Sequence, residues 1–241
     1  MTVLREECDP NVAIRVGFSA LLVLAGIIGV AAMTQQVLGL SPLFPYHVGW
    51  IFGPAGALVA VLAGQYLQTR YFGVANHVTL MRGAMTAVLI ALAGESATSA
   101  AAWCAVVTAG CVLALDGVDG WLARRLGEAT DFGARFDMET DALFILAASW
   151  MVWHSGTAGP WILASGLMRY LFVAASWILP WMTRPLPFSQ RRRIIFVTQA
   201  LALILCLVPT IAPTITYGIA LVSVLVLIGS FLTDVVWLAR N

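Results

Sequence analysis

The chain has 241 residues, of which 61% are hydrophobic and only 10% are charged, and its formal net charge is +1. A soluble domain carries about 25% charged residues, so this composition excludes an ordinary water-soluble globular fold. The small net charge and the lack of a basic stripe with interleaved aromatic residues predict that nucleic acid is not a partner.

Long uncharged stretches indicate how the chain is organised. Residues 16–69, 96–115, 142–168 and 194–233 contain no Asp, Glu, Lys or Arg. About 20 apolar residues in a helix span a bilayer core of about 30 Å, and backbone polar groups in lipid must be satisfied within the helix. The pattern therefore predicts an all-α integral membrane protein with eight spans. They are expected near residues 14–33, 47–68, 78–94, 98–124, 132–154, 160–182, 193–212 and 215–238.

The spans fall into two groups of different chemistry. Residues 1–70 hold two spans with almost no polar side chains, whereas residues 71–241 hold six spans and nearly all of the functional groups. We therefore expect a two-helix transmembrane hairpin followed by a six-helix transmembrane bundle. The hairpin is interpreted as a packing or dimerisation element.

The arginines predict the orientation in the membrane. The loops at 34–46, 94–97, 155–159 and 209–214 contain no basic residue. Short loops rich in basic residues stay in the cytoplasm, so both termini and the charged loops are expected there, in a multi-pass protein of a bacterial inner membrane. The arginines at the opposite span ends are Arg5, Arg15, Arg70, Arg82, Arg124, Arg125, Arg135, Arg184, Arg191, Arg192, Arg193 and Arg240.

Acidic residues are concentrated in one part of the chain. Seven of the twelve lie between positions 116 and 141. Residues three or four apart on a helix share a face, so Asp116 and Asp119 point the same way, and Asp137 and Asp141 do so on the next helix.

The connection between these two helices is short. Gly127 is expected to end the first helix, and Thr130 or Asp131 to cap the second. The two helices are then antiparallel neighbours, and their acidic faces meet across a cleft near the cytoplasmic interface.

Four converging carboxylates require a counter-charge, because an ionised group deep in the bilayer costs roughly 2.5–3.5 kcal/mol. Carboxylate oxygens suit Mg²⁺ or Mn²⁺, and four aspartates can bridge two such ions, as in phosphoryl transfer. Gly120 and Gly133 leave room for a ligand beside the backbone. Arg124 can donate to a phosphate in bidentate fashion.

The whole stretch from Asp116 to Asp141 resembles the signature of the CDP-alcohol phosphotransferase (CDP-alcohol phosphatidyltransferase) family. That signature is D-x-x-D-G-x-x-A-R-x(8)-G-x-x-x-D-x-x-x-D, and every position of it is filled here. Upstream, Asn76-His-Val-Thr79-Leu-Met-Arg82 resembles the N-x-x-T-x-x-R start of the family's first core helix. The resemblance covers residues 71–241. Many members carry small residues between the last two aspartates and a lysine after them, and this chain does not.

The resemblance implies an enzyme of phospholipid synthesis, in which an acceptor hydroxyl attacks the β-phosphorus of a CDP-alcohol and CMP is released. It implies two divalent ions, Mg²⁺ or Mn²⁺, and a homodimer, with CDP-diacylglycerol as the expected donor. The implied metal ligands are Asp116, Asp119, Asp137 and Asp141, and Asp141 is also the implied general base. The residues implied to contact the CDP donor are Asn76, Thr79, Leu80, Met81, Arg82, Gly120, Ala123, Arg124, Thr130 and Gly133.

Two further groups are candidates for binding the acceptor. Arg169 lies within an apolar span, where arginine usually faces a cavity; it pairs with an acceptor phosphate or a site aspartate, or it makes a structural ion pair. The second group precedes the seventh span. In family members with a phosphorylated polyol acceptor, basic residues of this region bind that phosphate, whereas such a cluster also contacts anionic lipid. This group comprises Ser189, Arg191, Arg192 and Arg193.

Two other functions fit part of the pattern. One keeps the fold but uses a soluble CDP-alcohol and a membrane lipid as acceptor. The other is a cation transporter whose intramembrane carboxylates bind ions in transit, although a transporter does not require the Gly, Ala and Arg positions of the signature, and inverted repeats are not evident. The sequence does not define the acceptor alcohol.

Overall fold

A computed structural model describes residues 10–67, 71–95, 98–184 and 189–240. Within these ranges the chain forms eight α-helices and no strand, which confirms the all-helical fold class. Short 3-10 helices at Pro160–Leu163 and Pro180–Thr183 flank the sixth helix. The eight helices are α1 (Pro10–Leu38), α2 (Phe44–Tyr66), α3 (Val74–Leu92), α4 (Ser99–Leu126), α5 (Asp131–His154), α6 (Ala164–Ile178), α7 (Gln190–Leu207) and α8 (Pro213–Arg240).

Six helical segments of the described chain are long and apolar enough to cross a membrane, and they fit a multi-pass membrane protein. They are α1, α2, α3, α4, α8 and the segment Pro160–Ile178 that contains α6. Helices α5 and α7, which coincide with the predicted spans 132–154 and 193–212, are not among the six. Both carry charged residues, from Asp131 to Asp141 in α5 and at 191–193 in α7. Arg5 and Arg70, used to predict the orientation, lie outside the described residues.

The seventh helix ends at Leu207, whereas the sequence predicts an end near residue 212. Val208 has extended backbone angles, with φ −69° and ψ 114°. The residue before a proline is disfavoured in the helical region, and Pro209 follows Val208. The proline therefore ends the helix one turn before the apolar stretch ends.

The turn between α4 and α5 matches its prediction. Gly127 has a φ of +67°, in the left-handed region that favours glycine, and it directly follows the end of α4. The Oγ1 atom of Thr130 accepts a hydrogen bond of 3.0 Å from the backbone N–H of Gly133, as an N-cap residue does. The predicted helix break at Gly127 and the predicted cap at Thr130 are confirmed.

The described residues cluster into two compact units, one formed from 1–96 and 108–141 and the other from 97–107 and 142–241. In the first unit, α1 and α2 pack against α3, and their buried core includes Val16, Phe52 and Leu80. Polar contacts join the same elements near both ends of α3. His77 Nε2 lies 3.0 Å from Ser19 Oγ, and the N–H of Ser41 donates to Glu95 over 2.8 Å. The hairpin therefore supports the helix that carries Arg82.

In the second unit, α5 and α6 approach so closely at Gly166 that only a glycine fits. A Cβ atom built on Gly166 would lie 2.4 Å from Leu146 Cα and 2.8 Å from Leu146 N. Both are backbone atoms, which cannot move away as the end of a flexible side chain does. Small residues permit such close contacts between membrane helices.

We expect Gly166→Ala to destabilise the protein, because inserting a methyl group into a well-packed contact costs about 1–3 kcal/mol. The measurement is the thermal unfolding midpoint of the protein in detergent. Gly229→Ala in α8 is the matched control, since a Cβ at Gly229 meets nothing within 4 Å. Equal midpoints for the two variants would contradict the close approach at Gly166.

Candidate active site

The candidate site lies in the first unit, where residues of α3, α4 and α5 converge on one guanidinium group. Asp116 and Asp119 come from α4, and Asp137 and Asp141 come from α5. All four carboxylates form ion pairs with Arg82 of α3. The predicted convergence of the two acidic faces is therefore confirmed, and its centre is a cation that belongs to the chain itself.

The guanidinium of Arg82 donates through both of its terminal nitrogens. Nη1 lies 2.6 Å from Asp119 Oδ2 and 2.7 Å from Asp137 Oδ1. Nη2 lies 2.7 Å from Asp116 Oδ1 and also donates to Asp141 Oδ1. Four carboxylates surround a single guanidinium, so the acidic groups outnumber the basic one and the cluster favours the approach of cations.

Burial differs strongly across the cluster. The side chain of Arg82 is 1% exposed and that of Asp119 is 3% exposed. The side chains of Asp116 and Asp141 are each 22% exposed, and that of Asp137 is 39% exposed. One side of the cluster is therefore closed by protein, and the side with Asp137 is open to an incoming ligand.

Helix α3 presents three polar residues, spaced three apart, to α4 and α5. Thr79 Oγ1 donates to Asp119 Oδ2 over 3.1 Å, one turn before Arg82. Asn76 lies one turn earlier, and a Cβ on Gly133 would be only 2.8 Å from its Oδ1 atom. Asn76, Thr79 and Arg82 thus share one face of α3, and Gly133 lets α5 approach that face.

Three phenylalanines pack beside this contact. The ring centroid of Phe72 lies 6.3 Å from that of Phe132 and 6.2 Å from that of Phe136. The ring centroids of Phe132 and Phe136 lie 6.0 Å apart. Phe132 and Phe136 are four residues apart on α5, next to Gly133 and Asp137. The aromatic cluster therefore holds the first turns of α5 against the segment that leads into α3.

The other residues predicted to contact the donor occupy varied environments. Leu80 belongs to the hydrophobic core with 1% exposure, and Met81 is exposed. Gly120 donates its N–H to Asp119 Oδ1 over 2.7 Å, and a Cβ there would lie 3.4 Å from Arg124 Nη1. Ala123 is half-buried and Arg124 is exposed. Gly120 and Arg124 are thus brought beside the carboxylates, whereas the side chain of Leu80 is committed to packing.

The chemistry of the cluster fits a divalent metal ion. Asp116, Asp119 and Asp137 each offer one carboxylate oxygen, and these oxygens lie within 4.8 Å of one another. Asp141 is outside this group of three and is linked to it through Arg82. Carboxylate oxygens are the ligands that Mg²⁺ and Mn²⁺ prefer, and the excess negative charge favours either ion.

The basic cluster at 191–193 lies in the first turn of α7, within the second unit. Arg191 Nη1 donates to Ser230 O over 3.0 Å, and its Nη2 pairs with Asp234. Arg192 Nη1 lies 3.6 Å from the same Asp234 oxygen. Asp234 therefore holds two of the three arginines of this cluster against α8.

The remaining acceptor candidates also lie in the second unit. Arg193 is exposed on the first turn of α7, and Ser189 occupies the N-cap position of that helix without a side-chain capping hydrogen bond. Arg169 is half-buried within α6.

Glu128 is a contributor to the site that the sequence did not reveal. Its Oε2 atom accepts hydrogen bonds from the backbone N–H groups of Val74 (2.7 Å) and Ala75 (3.4 Å). A Cβ on Gly73, which has a φ of +78°, would lie 3.0 Å from the same oxygen. Glu128 thus caps α3 from the α4–α5 turn, at the positive end of the helix dipole. The sequence carried only an indirect signal of this contact. Gly73, at the N-cap position of α3, has no side chain that could cap the helix, so another segment has to supply the cap.

We expect Glu128→Ala to lower the unfolding midpoint and to raise the donor KM, because the loss of a cap costs about 0.5–2 kcal/mol and frees the start of α3. Glu128→Gln keeps an oxygen acceptor and should recover part of both losses. The measurements are thermal unfolding in detergent and steady-state kinetics. Glu139→Ala, an exposed change on α5, is the control, and identical behaviour of the two alanine variants would contradict the role of Glu128.

Fold and site together define a class of protein, a helical membrane protein with a carboxylate cluster suited to divalent cations on two consecutive helices. The family model described as CDP-alcohol phosphatidyltransferase matches residues 72–235, more than half of the chain. The chain therefore belongs to the CDP-alcohol phosphatidyltransferase family, a family of transferases acting on substituted phosphate groups. The predicted family and the predicted class of enzyme, a transferase, are confirmed. No curated protein and no solved structure matches the chain.

Proposed function

We propose that the chain transfers the phosphatidyl group of CDP-diacylglycerol to an acceptor hydroxyl, releases CMP, and serves phospholipid synthesis. The observation that carries this proposal is the convergence of four carboxylates in a helical fold whose family transfers substituted phosphate groups. The apolar character of α3 and α4 supports a donor with acyl chains, because such a donor lies in the same layer as these helices. Soluble CDP-alcohols lack that anchorage.

In this proposal, the donor's CDP group lies on the open side of the cluster. Arg124 is exposed beside Gly120 and can donate to a phosphate in bidentate fashion. Thr79 and Asn76 line the adjoining face of α3 and, with Thr130 and Gly133, border the nucleotide. Met81 and Ala123 complete the surface of α3 and α4 assigned to the donor, and Leu80 supports that surface from the core.

Two divalent ions, Mg²⁺ or Mn²⁺, held by Asp116, Asp119, Asp137 and Asp141 would neutralise the pyrophosphate and the departing phosphate of CMP. Asp141 accepts the proton of the acceptor hydroxyl. The acceptor oxygen forms a bond with the β-phosphorus, and the bond from the β-phosphorus to the bridging oxygen breaks. CMP leaves with that oxygen and its electron pair. No covalent enzyme intermediate is required.

For the acceptor, we propose a phosphorylated or otherwise anionic alcohol, bound with the help of Arg169, Ser189 and the arginines at 191–193. Arg191 and Arg192 share Asp234 as their partner, which positions their guanidinium groups. Arg193 is exposed at the start of α7.

We expect Arg193→Ala to raise the acceptor KM severalfold with little change in the donor KM, because it removes a charge-assisted hydrogen bond donor without breaking the Arg191–Asp234 pair. Arg191→Ala is expected to raise the acceptor KM and also to lower the unfolding midpoint, since it removes the Asp234 ion pair and the Ser230 hydrogen bond that link α7 to α8. Steady-state kinetics against each substrate tests this expectation. An unchanged acceptor KM in both variants would reject the assignment.

Further parts of the proposal concern organisation and location. We propose that the catalytic part comprises residues 71–241, and that residues 1–70 are an addition that packs on it. We place the protein in a bacterial inner membrane, and the arginine distribution supports an orientation with the site and both termini on the cytoplasmic side. Membership of the family supports a homodimer.

The proposal is tested by incubating the purified protein with labelled CDP-diacylglycerol, Mn²⁺ and a panel of alcohols, and then identifying the labelled lipid. The expected result is release of CMP in equal amount to a new phosphodiester lipid. Release of CMP only from a soluble CDP-alcohol with a lipid acceptor would instead establish the reverse arrangement of substrates.

A further inference from the structure

We propose that Arg82 is an internal counter-cation that holds the carboxylate cluster together and competes with divalent ions for it. This inference rests on the proposed metal-dependent function, and it assigns Arg82 a positioning role that sets the affinity for metal. The resemblance to the family had suggested only a contact of Arg82 with the donor.

The first support is that Arg82 and a metal ion would use the same groups. The three carboxylates whose oxygens lie within 4.8 Å of one another belong to Asp116, Asp119 and Asp137, and each already has an oxygen 2.6–2.7 Å from an Arg82 nitrogen. A positive charge at this distance from the metal ligands opposes the approach of a second cation, strongly so in a partly buried site.

The second support is that the part of the chain described by the structure gives the guanidinium no anchor other than the four carboxylates. Its terminal nitrogens form ion pairs with the four carboxylates, while the buried Nε atom has no hydrogen bond partner among the described residues. The side chain is 1% exposed, so water cannot replace a lost carboxylate. Because an unpaired buried charge is costly, binding of a metal ion by these aspartates carries the cost of weakening the Arg82 ion pairs.

The third support is the position of Arg82 in the assembly. It is the point at which α3, α4 and α5 meet, and four carboxylates at this spacing repel one another. The guanidinium relieves that repulsion whether or not a metal ion is bound. The same group therefore stabilises the metal-free protein and weakens its binding of metal.

The test compares Mn²⁺ binding by the unsubstituted protein and by variants of Arg82, each as the full chain in detergent and without nucleotide. Binding is measured from the electron paramagnetic resonance signal of free Mn²⁺. We expect Arg82→Gln to lower the unfolding midpoint of the metal-free protein and to lower the Kd for Mn²⁺ by at least about tenfold, since a unit charge beside the ligands is removed. Arg82→Lys keeps the charge and should bind Mn²⁺ much as the unsubstituted protein does.

A charge-matched pair keeps the test decisive if Arg82→Gln does not fold. The double variant Arg82→Gln/Asp141→Asn has the same net charge as the unsubstituted protein and keeps the group of three aspartates. It should bind Mn²⁺ about tenfold more tightly than Asp141→Asn alone, from which it differs only by the guanidinium. Equal or weaker binding by the double variant would overturn the role of Arg82. Failure of the proposed function would give a different result. In that case the unsubstituted protein would either not bind Mn²⁺ or bind it only as well as Asp116→Asn does.

Discussion

Replacement of Asp141 by asparagine is expected to lower the rate of CMP release by about 10²–10⁴-fold, the usual contribution of a general base. Asparagine preserves the size of the side chain but cannot accept the proton of the acceptor hydroxyl. Asp116, Asp119 and Asp137 offer oxygens within 4.8 Å of one another without Asp141, so these three carboxylates should still bind Mn²⁺ after the proposed fourth ligand is lost. The measurements are the initial rate of CMP release and the Kd for Mn²⁺.

The matched control is Glu139→Gln, which changes an exposed carboxylate on the same helix two residues earlier. Residues two apart on a helix lie on different faces, so this variant should retain its rate. A variant Asp141→Asn that releases CMP at the unsubstituted rate would show that another group takes the proton.

Replacement of Asp116 by asparagine is expected to abolish activity at ordinary metal concentrations and to weaken Mn²⁺ binding by more than about 10–100-fold. That range is typical even for residues that only support a metal ligand, whereas Asp116 belongs to the group of three itself. Asp116 is better suited to this test than Asp119, whose buried carboxylate also accepts from Thr79 and from Gly120.

The measurement for Asp116→Asn is the Mn²⁺ concentration that gives half-maximal CMP release, together with direct Mn²⁺ binding. Asp131→Asn, an exposed change in the first turn of α5, provides the comparison and should leave both quantities unaltered. If Asp116→Asn responded to Mn²⁺ like the unsubstituted protein, the cluster would not be the metal site.

Much of the fold is predictable because long uncharged stretches of sequence indicate membrane helices. Each of the eight helices overlaps its predicted range, and Gly127 and Thr130 define the α4–α5 turn by their own backbone and side-chain chemistry. The predicted end of α7 was wrong because the apolar stretch continues past Leu207. The backbone restriction that Pro209 imposes on Val208 ends the helix there, and it does not depend on hydropathy.

The carboxylates of the site were predictable for a related reason, since spacing along a helix determines which side chains share a face. The cation that pairs with these carboxylates, Arg82, was not predictable in the same way. Arg82 lies 34 residues before Asp116 in the chain, and no local pattern indicates that its side chain reaches all four aspartates. The cap of α3 by Glu128 is likewise a contact between distant segments, which depends on how α3 packs against the α4–α5 turn.

The central claim is that the aspartates around Arg82 hold divalent ions that bind the CDP group of the donor. Its most direct test is the thermal unfolding midpoint of the purified protein with CDP or CMP, with and without Mn²⁺. We predict stabilisation by nucleotide only when Mn²⁺ is present, and its loss in Asp116→Asn. Stabilisation by Mn²⁺ alone, with no further effect of either nucleotide, would contradict the claim and favour a cation-binding role for the cluster.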